Sequence, residues 1–352
     1  MNHPGPGPLP PIHALFYQRG AGDPADPALL KLAGLRFAQA GLAAETYADT
    51  PDQLDHVLGY VPPHPRLPTV HLNRALNVLH ERDRDVVEEF ASRFARRLSG
   101  LVVHDQADMG TQAPALAGAL ADLDTRLARW PGAPRVYLEY AAGHEPGWFA
   151  DIAERLKDRD QVSCCIDVGH VGIRQAAARF ARAHPGTPLR SLRPDDERLP
   201  DLAGDVQDAV AGAAADVLDL TRSIAGLGKH LHFHLHDGHP LAGALADHFS
   251  FLTRLPVPFS YRGRRSLAMM YGPAGLAAVA AAATEACDLG LLSFTLEIHQ
   301  VDGRLPLGDA AGLFRHWAGA DIAEGERMNN WLSVMAANAI LLEESLHPPA
   351  AA

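Results

Sequence analysis

The chain has 352 residues, of which 47% are hydrophobic, enough for one large core or two modest cores. Its 31 basic and 42 acidic residues give a net charge of −11, and only three of the basic residues are lysines. An acidic surface repels phosphate backbones at long range, so this composition disfavours extended binding of nucleic acid.

The cysteine count and the apolar segments bear on the cellular compartment. Three cysteines without framework spacing favour a reducing compartment over a disulfide scaffold. Residues 1–11 lack the basic-then-apolar pattern of an export signal. Residues 274–292, the most apolar long stretch, contain two acidic residues and are mostly alanine, which favours a packed helix over a membrane span. We therefore expect a cytoplasmic protein with no membrane partner.

Eight segments have the composition of strands, and helical periodicity falls between them. The predicted strands are residues 11–17, 42–47, 69–72, 101–105, 136–140, 162–167, 230–237 and 293–299. The predicted helices cover residues 27–40, 51–58, 84–98, 113–129, 148–156, 202–224, 309–317 and 324–346, with another starting at Gly272-Pro273. Residues 185–200 form a proline- and arginine-rich excursion between strands six and seven.

The alternation of strand and helix is typical of a parallel (β/α)₈ barrel, also called a TIM barrel. We predict one domain over residues 1–352 with a barrel core at about 11–320. Residues 174–228 form an insertion on the barrel, and residues 321–352 form a C-terminal helical extension. The insertion and the extension could build a lid or a contact between copies of the chain in a homo-oligomer.

Polar residues stand at the carboxyl ends of strands five to eight: Glu139, Asp167, His234 and Glu297. A barrel brings the carboxyl ends of its strands to one mouth, so these side chains are expected to converge. Three carboxylates and one imidazole suit a divalent ion such as Mn²⁺, Co²⁺, Mg²⁺ or Zn²⁺. A dication would also remove the repulsion between the carboxylates.

These residues and their order carry a resemblance to a known superfamily. Glu139 in LEY, the stretch DVGH at residues 167–170, HLHD at residues 234–237 and Glu297 resemble the xylose-isomerase-like barrels. That group contains sugar isomerases, sugar epimerases and zinc-dependent apurinic-site endonucleases. The resemblance implies one metal bound by Glu139, Asp167, His234 and Glu297, proton transfer by the two glutamates, and a contact between His170 and a substrate oxygen. His236 competes with His234 for the ligand role.

The endonuclease branch of the superfamily provides an alternative. It adds ligands for up to three zinc ions, and His71 and His104 lie after strands three and four where such ligands would fall. Asp247 and His248 lie in the loop after strand seven, but they are adjacent, whereas the endonuclease pattern separates them by one residue. Tyr140 also replaces an asparagine common among relatives.

The leading prediction is a divalent-metal-dependent isomerase or epimerase of a sugar, sugar phosphate or related polyol ketone, with Glu139 and Glu297 as acid-base groups. The alternative is an endonuclease-like multinuclear zinc hydrolase of phosphoesters. A third hypothesis is a barrel that binds a metabolite without turning it over. In each case the expected partner is a small molecule.

Overall fold

The structure is a computed structural model that describes residues 9–17, 27–192, 196–238, 241, 247–252, 259–261, 264–266, 270–298 and 324–347. The chain divides into two compact units. The first contains Met1–Asp167, Leu220–His234 and Ala282–Leu296, and the second contains Val168–Asp219, Leu235–Ala281 and Glu297–Ala352. No helix among the described residues is long and apolar enough to cross a membrane.

Eight parallel strands close into a barrel, which confirms the predicted TIM-barrel fold. The strands are β1 Ile12–Tyr17, β2 Ala43–Ala48, β3 Thr69–Leu72, β4 Gly100–His104, β5 Arg135–Glu139, β6 Val162–Asp167, β7 Leu231–Leu235 and β8 Leu292–Leu296. Each strand pairs with its neighbours in chain order, and β8 closes the barrel against β1, with Leu296 beside Ala14.

Helices alternate with these strands. They are α1 Pro27–Gln39, α2 Pro51–Leu58, α3 Glu81–Arg93, α4 Ala113–Leu127, α5 Pro146–Arg155, α6 Val168–Ala183, α7 Leu199–Ala225 and α8 Gly272–Ala286. Helix α2 begins where its sequence predicts, because the Thr50 hydroxyl accepts a hydrogen bond from the Gln53 amide and Pro51 occupies the first helical turn.

Helix α3 differs most from its predicted bounds of 84–98. It starts earlier, at Glu81, and two acidic residues in its first turn, Glu81 and Asp83, favour the positive end of the helix dipole. It ends earlier, at Arg93, and Arg96 has a φ of 62°, a left-handed conformation that no α-helix accommodates. The Arg96 amide donates instead to the carbonyl of Gly132 at 2.7 Å.

The second unit packs helices around its own apolar core. Phe180 of α6 is buried with Leu192, Ala203 and Val206 in this core. Two short antiparallel strand pairs follow, Asp237–Gly238 with Asp247–Phe249 and Phe259–Tyr261 with Arg264–Ser266. A C-terminal helix covers Glu324–Leu346, as predicted. The predicted helix at 309–317 lies outside the described residues.

The barrel interior is unusually polar for this fold, whose strands generally fill it with branched apolar side chains. Two histidines (His13 and His232), a glutamate (Glu45) and two threonines (Thr69 and Thr295) are all at most 1% exposed. Buried polar groups need hydrogen-bond partners, so these side chains are expected to form a connected hydrogen-bond network as well as to pack together.

Candidate metal centre

The strand register places the predicted residues of the first unit side by side. His104 and Glu139 are partners across β4 and β5, and Asp167 and His234 are partners across β6 and β7. All four lie at or next to the carboxyl end of their strand. Parallel strands in register bring equivalent positions together, so residues that are separated by 35 or more positions in the sequence become neighbours.

Three potential ligand atoms form a compact triangle. Nε2 of His71 lies 2.9 Å from Oε2 of Glu139, and Nε2 of His104 lies 3.2 Å from the same oxygen. The two Nε2 atoms are 3.1 Å apart. Ligands of a tetrahedral zinc with bonds of 2.0–2.1 Å are about 3.3 Å apart, so the three atoms already have the spacing of a coordination sphere.

The protonation of His71 suits a ligand. Its Nδ1 lies 3.1 Å from the carbonyl oxygen of Leu72, and a carbonyl can only accept, so this hydrogen bond places the proton on Nδ1. A neutral imidazole then carries its lone pair on Nε2, the atom that faces Glu139 and His104. Histidines that bind metals are commonly oriented by such a bond from the second ring nitrogen.

The other carboxylate oxygen of Glu139 faces a different set of residues. Oε1 lies 3.3 Å from Nδ1 of His234. Ligand atoms of Glu139, Asp167 and His234 all lie within 4.8 Å of one another, as do those of His71, Glu139 and His234. The two oxygens of Glu139 therefore face different histidines, Oε2 towards His71 and His104 and Oε1 towards His234.

Burial and charge act in opposite directions on Glu139. Complete burial by itself raises the pKa of this carboxyl, but the nearby His104, His234 and His71 outweigh burial and hold the pKa well below its usual range. Among the described residues, no donor makes a hydrogen bond of ordinary geometry to either carboxylate oxygen, even though three histidines surround Glu139. A buried anion with this deficit fits a cation, so the residues present suit a divalent metal.

A carboxylate that the sequence analysis missed lies deeper in the barrel. Glu45 is fully buried, its Oε1 lies 3.0 Å from Nε2 of His234, and its Oε2 lies 3.3 Å from Nε2 of His232. Burial favours a raised pKa, but His234 and His232 together hold the pKa of Glu45 well below its usual range. The sequence signal that could have identified Glu45 is a charged residue in the middle of a predicted barrel strand.

The second unit holds a separate group of three histidines, His170, His236 and His248. The rings of His236 and His248 stack with centroids 4.0 Å apart, and His170 meets both edge-on at 5.3 and 5.2 Å. One ligand atom from each lies within 4.8 Å of the others. This group of three, called the histidine cluster below, is a second set of residues that could hold a metal.

The glycine of the DVGH stretch has a physical role in the histidine cluster. A Cβ atom at Gly169 would lie 1.9 Å from Cε1 of His236, far inside van der Waals contact. His236 therefore reaches its position only because residue 169 has no side chain. His248 has a φ of 64°, a conformation rare outside glycine, and its amide donates to Nδ1 of His236 at 3.1 Å.

The structure places the remaining predicted residues in different parts of the chain. Glu297 belongs to the second unit, where its Oε1 lies 3.6 Å from Nε2 of His248. Asp247 lies in the short strand Asp247–Phe249, and its side chain falls outside the described residues. Strand β7 ends at Leu235, before the predicted 237, so His232 and His234 lie on the strand and His236 lies beyond it.

Asp237, the aspartate of the HLHD stretch, supports the backbone. Its Oδ1 accepts from the amides of Gly238 and Tyr271, and its Oδ2 accepts from the amide of Gly272 at the start of α8. Burial raises the pKa of Asp237 to about 6 despite these three donors. Its contacts are those of a residue that anchors the first turn of α8.

No protein-family model matches this sequence, and no curated protein is similar to it. The resemblance to the xylose-isomerase-like barrels therefore depends on the motif residues alone.

Proposed function

We propose that this protein is a metal-dependent hydrolase of small phosphoesters that holds at least two divalent ions in its barrel. One observation carries the proposal: the two oxygens of Glu139 face different ligand sets, His71 and His104 on one side and His234 on the other. Two divalent ions held by these residues would stabilise the charge on the attacking and leaving oxygens of a phosphoester.

The ligand types favour particular metals. Imidazole nitrogens predominate around Oε2 of Glu139, and imidazole suits zinc better than magnesium or calcium, which prefer oxygen ligands. Asp167 adds a harder oxygen ligand to the set around Oε1. We therefore expect zinc to bind beside His71 and His104, and zinc or Mn²⁺ to bind beside His234 and Asp167.

The chain's own residues bind and orient, while a bound divalent cation would supply Lewis-acid polarisation of a substrate oxygen. Glu139 stays ionised and would hold a divalent ion beside the histidines that face its two oxygens. His104 is the partly exposed member of the barrel ligands, with 18% of its side chain accessible, so a substrate would approach along its side. The acidic charge and the three lysines favour a small substrate over a nucleic-acid chain.

A metal-dependent sugar isomerase or epimerase is the second candidate. The proximity of Glu139, Asp167 and His234 favours it, because this set could hold a single ion without help from His71 or His104. Glu139 and Glu297 would then transfer the proton at the reacting carbon. In this case His71 and His104 would only help to hold the pKa of Glu139 low.

Metal stoichiometry separates the candidates. We would equilibrate untagged protein with Zn²⁺ and with Mn²⁺, desalt it, and measure metal per chain by elemental analysis for the wild type and for His71→Ala, His104→Ala and Asp167→Ala. Two or three equivalents, with one lost in each histidine variant, support the hydrolase and call for a panel of phosphoesters. One equivalent that survives His71→Ala but not Asp167→Ala supports the isomerase and calls for a ketose panel.

The same measurement addresses the third hypothesis, a barrel that binds a metabolite without catalysis. Absence of retained metal in the wild type would contradict both enzyme proposals and favour that hypothesis. Retained metal without turnover on either panel would also favour it, and Glu139→Gln should then leave ligand binding largely intact.

A further inference from the structure

Glu45 occupies an unusual place for a carboxylate. It lies in the middle of β2, beside Leu15 of β1 and Thr69 of β3, with no exposed surface. Barrel strands usually place valine, isoleucine or leucine at interior positions. A buried carboxylate costs several kcal/mol in desolvation unless hydrogen bonds and opposite charges compensate. The groups that contact Glu45 must therefore compensate for the cost of burying its charge.

One oxygen of Glu45 is fixed by three donors. Oε2 accepts hydrogen bonds from the hydroxyls of Thr69 at 2.6 Å and Thr295 at 2.8 Å, and from Nε2 of His232 at 3.3 Å. Three donors from three different strands leave the carboxylate little freedom to rotate. The second oxygen, Oε1, is consequently held in one place, 3.0 Å from Nε2 of His234.

His234 thus has a carboxylate beside each ring nitrogen. Nε2 faces Glu45 at 3.0 Å, and Nδ1 faces Glu139 at 3.3 Å. To bind a metal ion His234 must be neutral, and its ring then has one proton and one lone pair to distribute between these two atoms. The shorter distance favours the proton on Nε2. The charge of Glu139 is already shared with His71 and His104, whereas Oε1 of Glu45 accepts no hydrogen bond of ordinary geometry among the described residues and has Nε2 of His234 at 3.0 Å.

We propose that Glu45 is a positioning residue that keeps the proton of His234 on Nε2 and thereby turns the Nδ1 lone pair towards Glu139, ready for a metal ion. This inference rests on the proposed function, because it gives the metal beside Glu139 a specified nitrogen ligand. Carboxylates that orient metal-binding histidines in this way typically change metal affinity 10–100-fold when they are replaced.

The test has two readouts on metal-free and zinc-titrated protein. The first is the ¹⁵N imidazole NMR spectrum of histidine-labelled protein, with His234 assigned by the signals missing in His234→Gln. The second is zinc affinity by competition with a chromophoric chelator. The variants are Glu45→Ala and Glu45→Gln. Glu88→Gln is the matched control, because it makes the same change at a helix carboxylate that pairs with Arg126.

At a pH high enough to keep the ring neutral, we expect metal-free wild type to carry the His234 proton on Nε2. Glu45→Ala should lose this preference and bind the zinc beside His234 about 10–100-fold less tightly. Glu45→Gln keeps the side-chain volume and one acceptor oxygen, so it should show a smaller loss. If Glu45→Ala does not fold, Glu45→Gln carries the test alone and must still weaken zinc binding. Glu88→Gln should match the wild type.

Two results would overturn the proposal: a wild-type His234 protonated on Nδ1, or a tautomer and a zinc affinity that both stay unchanged in the Glu45 variants. Failure of the proposed function would look different. A wild type that binds no zinc contradicts the metal site, whereas the tautomer of His234 in metal-free protein still decides whether Glu45 positions this ring.

Discussion

Replacement of His13 by glutamine gives a quantitative prediction about the polar barrel interior. His13 is fully buried, and burial together with the nearby His232 lowers its pKa from 6.5 to about 4. Its ring nitrogens lie 3.2 Å from the carbonyl oxygens of Phe294 and Leu67. The folded protein therefore keeps His13 neutral at pH values where the unfolded chain binds a proton.

The direction of the pH effect follows from the lowered pKa. Above pH 6.5 both states are neutral at this residue and it makes no pH-dependent contribution. As the pH falls from 6.5 towards 4, the unfolded state gains a proton that the folded state does not, so the free energy of unfolding decreases. The gap between 6.5 and about 4 corresponds to about 3.4 kcal/mol at 1.36 kcal/mol per pH unit.

Urea unfolding at pH 7.5 and pH 4.5, for the wild type and His13→Gln, measures this contribution. Groups far from His13 titrate alike in both proteins and cancel in the difference, whereas Glu45 and His232 interact with His13 and belong to the contribution that the difference measures. We expect the wild type to lose about 2.5 kcal/mol more than the variant between the two pH values, because pH 4.5 lies two units below 6.5 and still above the folded pKa of about 4. Equal losses would show that His13 titrates normally and would refute the reasoning from burial.

Three further predictions test the site and its supports. His71→Ala should remove one zinc equivalent per chain in elemental analysis and leave the Asp167 set loaded; loss of all metal would show that the two sets are not separable. Gly169→Ala should displace the ring of His236 and lower the free energy of unfolding, measured in urea, by about 1–3 kcal/mol. An unchanged imidazole NMR signal of His236 would contradict the close contact. Asp237→Ala should destabilise by about 3 kcal/mol because it strips three amides of their acceptor, while Asp237→Asn should cost less; equal stability of both variants would argue against the anchoring role.

The ligand geometry changes the order of the functional hypotheses. Sequence motifs favour a one-metal isomerase with Glu139 and Glu297 as acid-base groups. In the structure, His71 and His104 both approach Oε2 of Glu139 to within 3.2 Å, a distance suited to shared coordination. This arrangement is why we favour a multinuclear hydrolase, and why we would measure metal content before testing any substrate.

Sequence alone determined the barrel and the strand ends that carry polar residues. Eight short apolar runs separated by helical periodicity leave few other folds, and Glu139, Asp167 and His104 could be placed at strand ends because a polar residue there interrupts an apolar run. Local rules of this kind act over a few residues, so they are readable without knowledge of the tertiary contacts.

Only the tertiary structure decided which of these side chains meet. Barrel closure brings Glu45 within 3.0 Å of His234, a residue 189 positions later in the chain, and no local pattern encodes such a distance. The alternating histidines at 232, 234 and 236 look equivalent in sequence, yet the end of β7 at Leu235 leaves only the first two on the strand. Strand register, strand length and ring orientation are products of global packing, which is why the contacts of Glu139 and of Glu45 became visible only in three dimensions.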